Sequence, residues 1–132
     1  MGCDIHCFQE VKINGKWHCA NQPRIDRNYE LFEYMAGVRG DENNAAFPVR
    51  GLPDDLSEYV SIEADIWGDD AHAHSWITGD EVEQTHKWIR AQGWRNYWYS
   101  PFGYLFGNGW ADGDAPRPVG YEEARLVFWF DN

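Results

Sequence analysis

Polar and apolar residues alternate from Cys3 to Ile13, and the alternation stops at Asn14-Gly15. Period-two patterning marks a strand with one buried face. Asn-Gly tolerates the positive φ of a type I′ turn, so the pattern predicts a β-hairpin whose second strand begins near Lys16. Cys3, Ile5, Cys7, Val11 and Ile13 fall on one face, which is assigned to the core, and Asp4, His6, Phe8, Glu10 and Lys12 fall on the other.

The spacing changes to a helical one over Tyr29–Val38, with Asn28 as N-cap. Arg39 to Pro53 is rich in Gly, Pro, Asn and charge and reads as a long surface loop. Thr78 stands three residues before Glu81, a capping box, and Gly93 is a stop signal, which predicts a helix from about Gly79 to Gln92. The stretch from Gly93 to Trp110 mixes aromatics with Gly, Asn and Pro and predicts turns with one short strand. The final "EARLVFWFDN" is β-branched and aromatic on both faces, as expected of a strand inside a sheet. With no repeat and no linker, the expectation is one α+β domain over residues 1–132: a mainly antiparallel sheet with an N-terminal hairpin, a central C-terminal strand and two or more helices.

Composition narrows the function classes. The chain has 132 residues, 43% hydrophobic and 17% aromatic, which excludes disorder through lack of apolar material. A net charge of −11 repels phosphate backbones, so direct nucleic-acid binding is not expected unless a metal mediates it. No apolar run reaches the roughly 20 residues of a membrane span, and the first residues lack the pattern of a signal peptide. Three Cys read as reduced thiols, and the expected location is the cytoplasm.

Candidate chemistry lies on the polar face of strand one. Asp4 and His6 stand about 6.5–7 Å apart along it, close enough to converge on one cation. In "DDAHAHSW", His72 and His74 repeat the arrangement if the segment is extended, and Asp70 shares their parity. Asp131 ends the last strand on the face of Val127 and Trp129, where a carboxylate needs a cation or hydrogen-bond donors. Each pair also has a structural reading, in which His6 bonds a carbonyl and Asp4 caps a turn.

Taken together, these residues predict a divalent metal held by Asp4, His6 and at least one of His72 and His74. Zinc comes first, with manganese or iron allowed by the mixed nitrogen and oxygen donors. Asp70 or Asp131 would serve as general base for hydrolysis of a phosphoryl or glycosyl bond of a small-molecule or nucleotide substrate or of a nucleic acid. A Cys-based zinc site is disfavoured because Cys19, opposite Glu10, faces away from Cys3 and Cys7. Glu83 and His86 lack the second copy that a di-iron site needs, and "ADGDAPRPVGYEE" lacks the offsets of a calcium loop. Trp88 and Trp129 read as packing, whereas Trp94, Tyr97, Trp98, Tyr99 and Trp110 could line a cleft.

The segments "MGCDIH", "DRNYELF", "AGVRG", "RGLPDD", "HAHSW", "FGYLFGNGW" and "FWFDN" together resemble a family of small proteins encoded by phages and prophages. The resemblance spans nearly the whole chain. It implies a viral origin and carries no assigned reaction or catalytic residue. It also gives weight to a non-enzymatic alternative, an acidic inhibitor or DNA mimic that binds a host defence protein through its paired loop acids.

Overall fold

The computed structural model describes residues 2–94 and 121–132. Strands β1 (Asp4–Ile13) and β2 (Lys16–Asn21) form the predicted hairpin, with Asn14 and Gly15 at φ 51° and 76°. Helix α1 (Tyr29–Ala36) is capped by Asn28, whose side chain accepts from Leu31 N at 3.1 Å, and it stops at Gly37 with a left-handed φ of 72°. Strand β3 (Ala71–Thr78) leads directly into helix α3 (Gly79–Ala91), and the Thr78–Glu81 capping box is formed in both directions. Strand β4 (Glu123–Asp131) completes the sheet.

One helix was not foreseen. Helix α2 (Glu58–Trp67) is capped by Ser57 and buries Val60, with Ala64 and Trp67 half-buried on the same side. A 3-10 turn, Gly68–Asp70, joins it to β3.

All pairings are antiparallel, in the order β2-β1-β4-β3, so β4 lies inside the sheet beside β1 as its two apolar faces require. The fold is α+β. One face of the sheet carries Cys3, Ile5, Cys7, Leu126, Phe128, Phe130 and Ile77, which pack with Leu31, Phe32 and Met35 of α1 and Val82 and Ile89 of α3. The other face is thinner in apolar material: Phe8, Val127 and Trp129 meet Val60 of α2.

Glu10, fully buried on that second face, fixes how α2 is entered. Its carboxylate accepts from Arg125 Nε at 2.7 Å and from Ser57 N at 2.8 Å, while Arg125 also bonds Asp55 at 2.9 Å. The N-cap of α2 is thereby tied to the middle of the sheet, which sets its last residue, Trp67, over the opposite end.

Among the described residues, no helix is long and apolar enough to cross a membrane. Residues 95–120 lie outside the described residues; they hold most of the stretch expected to form turns and one short strand, with Tyr97, Trp98, Tyr99 and Trp110. Trp94 itself is half-buried and meets Trp88 edge-on at 5.4 Å, and Trp88 stacks on Tyr34 at 4.2 Å, so both act in packing.

Candidate functional site

The register of β1 against β4 brings one end of each strand together: Asp4 faces Asp131 and His6 faces Trp129. Alternation puts Asp4, His6 and Asp131 on the α2 face of the sheet. There His6 Nε2 lies 3.2 Å from Asp131 Oδ2, and Asp131 Oδ1 accepts from the Asp4 backbone N at 3.2 Å. The His6 ring lies against Trp67 with centroids 4.1 Å apart. His6 and Asp131 keep 23% and 25% of their side-chain surface exposed, enough for a ligand to reach them.

Two carboxylates this close need positive charge nearby, and Arg27 supplies it. Its Nε and Nη2 bond the two oxygens of Asp4, each at 3.0 Å, which holds the Asp4 carboxyl below the usual carboxylate range. Gly2 leaves room for the guanidinium, because a Cβ there would overlap it. Nothing in the sequence pattern announced this partner, which comes from the loop between β2 and α1. That loop and β1 enclose a cavity of about 460 Å³, lined by Asp4, His6, Cys7, Gln22, Arg24 and Arg27 among others.

The other candidates are dispersed. Ala73 adopts φ 54°, and β3 bulges so that Ala73 and His74 together oppose Trp129. The bulge breaks the expected parity of the two histidines. His72 pairs with Phe130, its ring 6.2 Å from that phenyl and its Nε2 3.3 Å from Asn132 Oδ1, toward the α1–α3 face. His74 sits 5.7 Å from the Trp129 ring, on the α2 face. Burial lowers the pKa of His74, and the neighbouring His72 adds to the effect. Asp70 is exposed in the turn before Ala71, the residue that pairs with Asp131, so it lies at the same end of the sheet without joining the cluster.

Cys3 and Cys7 are buried on the core face, and Cys19 faces Glu10 as expected. Burial pushes all three thiols up, Cys19 to about 11, so they stay protonated at neutral pH. Among the described residues, no group of three or more His, Cys, Asp or Glu side chains is placed to hold a metal ion.

A second cavity, of about 600 Å³, opens at the far end of the same face. Its walls stack cations on indoles: Arg125 lies 3.8 Å over Trp17 and Arg50 5.0 Å over Trp76. Each guanidinium already has a carboxylate partner, Glu10 and Asp55 for Arg125 and Glu81 for Arg50. The ladder acts as a clamp between strands and the loop before α2.

No family model, curated protein or solved structure matches this chain.

Proposed function

We propose that the end of the sheet bearing His6 and Asp131 is the acid–base site of a hydrolase that cleaves a phosphoryl bond of a small molecule or nucleotide. The observation that supports it is the imidazole of His6, oriented by Asp131 at 3.2 Å, backed by Trp67 and facing a cavity with two guanidiniums on its wall. In the tautomer that donates from Nε2 to Asp131, Nδ1 is the basic nitrogen and can take a proton from water. Arg24 suits the negative charge of a phosphoryl group, while Arg27 is engaged in holding Asp4.

Asp131 then acts by holding the imidazole in place. A divalent cation, zinc first and manganese or iron next, would find its donors in His6 and Asp131, with Asp4 joining if it exchanged Arg27 for the metal. Such a cation would supply a water of lowered pKa. In keeping with the resemblance to phage-encoded proteins, the site of action would be the cytoplasm of the host.

The test uses untagged protein against p-nitrophenyl phosphate, bis-p-nitrophenyl phosphate and the ribonucleoside triphosphates, with and without zinc or manganese, alongside elemental analysis. His6→Ala and Asp131→Asn should each lower turnover by about 10²–10⁴ while circular dichroism stays unchanged. Absence of turnover under every condition, or turnover that His6→Ala retains, would overturn the reading.

A further inference from the structure

Helix α2 shows the sheet Val60, Ala64 and Trp67, yet its opposite face is not polar. Tyr59, Ile62 and Ile66, spaced at i, i+3 and i+7, are 46%, 51% and 72% exposed. Scattered single apolar residues on a surface need no explanation, but three aligned on one helix face make a patch. Tyr59 is held rigid, its hydroxyl donating to Gln22 Oε1 at 3.0 Å and its ring edge-on to Phe8 at 6.2 Å. Beside the stripe, Tyr59 and Ile62 join Trp17 and Cys19 of β2 in lining a groove of about 370 Å³.

Charge specifies what would cover this face. On a helical projection Glu58 and Asp65 lie to one side of the stripe and Glu63 to the other. Asp65 occupies the last turn, Asp69 and Asp70 follow in the 3-10 turn, and no basic residue occupies the last turn. Carboxylates at a helix C-terminus oppose the macrodipole and destabilise the free helix. A cationic partner would reverse the sign of that term. A second copy of the chain would bring the same carboxylates together on top of a net charge of −11.

We propose that the outer face of α2 is a docking helix for a protein whose apolar groove is rimmed by lysine and arginine, with Tyr59, Ile62 and Ile66 as the anchors. An amphipathic helix laid in a groove is a common recognition mode, and here the acids beside the anchors would steer the approach and exclude acidic surfaces. The surface lies on the solvent side of α2, so it stands or falls apart from the hydrolase reading.

The probe is a fluorescent 14-residue helical peptide with leucines along one face and lysines elsewhere, read by anisotropy, with a leucine–glutamate peptide of the same pattern as control. The native protein should bind the lysine peptide, and affinity should fall steeply with salt. Ile62→Ser/Ile66→Ser should weaken binding at least tenfold with an unchanged melting curve, because both residues are exposed. Glu58→Gln/Asp65→Asn/Asp69→Asn should weaken it and flatten the salt dependence.

Equal binding by Ile62→Ser/Ile66→Ser would show attraction by general acidity alone and overturn the proposal. So would equal binding of the glutamate peptide, capture of neutral lipid vesicles through these isoleucines, or a native dimer in sedimentation that the double serine variant breaks.

Discussion

On one face of the sheet, Leu126, Phe128 and Phe130 meet α1 and α3 in a cluster of aliphatic, aromatic and thiol side chains; on the other, the alternate residues of the same strand, Arg125, Val127, Trp129 and Asp131, meet α2 among carboxylates and imidazoles. Both faces are buried at their centre. The first is held by area removed from water and by close packing. The second is held by specific pairs, Arg125 with Glu10 and His6 with Asp131, and it opens into cavities at both ends. A strand that is apolar by composition can therefore serve a dry core on one face and buried ion pairs on the other; the indole Nε1 of Trp129, buried on that second face, is a polar atom there without a partner among the described residues.

The comparison can be broken most forcefully at Arg125. Arg125→Ala leaves Glu10 buried without its cation and should cost about 3–5 kcal/mol in urea denaturation. Replacing the pair by Arg125→Met/Glu10→Leu should recover much of that, ending within about 1–3 kcal/mol of the native protein, since Ser57 N would still lack its acceptor. A mild effect of the single change would mean that water reaches Glu10. On the dry face Leu126→Ala should cost about 2–5 kcal/mol through lost burial and the cavity left behind, and no polar second-site change should restore it.

The smallest effect separates the faces by titration. Burial lowers the pKa of His74, on the α2 face, and of His86, on α3, from the ordinary value of 6.5. As pH falls below about 6.5 the unfolded chain takes up these protons first, so stability should decline from there down through the folded values and be fully present above 6.5. Melting temperatures from pH 8 to pH 5 for His74→Asn and His86→Asn would apportion the slope, and each variant should show a shallower decline than the native protein.

What the chain made legible follows where local signals coincide with burial. Asn14-Gly15, the Thr78–Glu81 box and the unbroken apolar run of β4 are local features, and once β4 pairs with β1 the alternation of each strand sets Asp4, His6 and Asp131 on one side of the sheet. Helix α2 escaped because Tyr59, Ile62 and Ile66 on its solvent side blur the one-sided pattern that Val60, Ala64 and Trp67 would have drawn. Arg27 escaped because a loop side chain that reaches Asp4 across 23 positions leaves no periodic trace. The bulge at Ala73 escaped because a non-glycine residue at positive φ has no sequence mark, and that single residue separates His72 from His74.

The ladder between β1 and β4 joins residues 127 positions apart at Asp4 and Asp131 and still 111 apart at Lys12 and Glu123. The hairpin of β1 and β2 can close within microseconds from neighbouring residues, but the inner strand must then wait for a partner from the far side of the chain. Until β4 docks, Glu10 has no Arg125 and His6 no Asp131, so neither pair on the α2 face can form before the two ends of the chain meet. During synthesis on a ribosome the contact between His6 and Asp131 would form only when residue 131 has cleared the exit tunnel, however early the residues around His6 emerge.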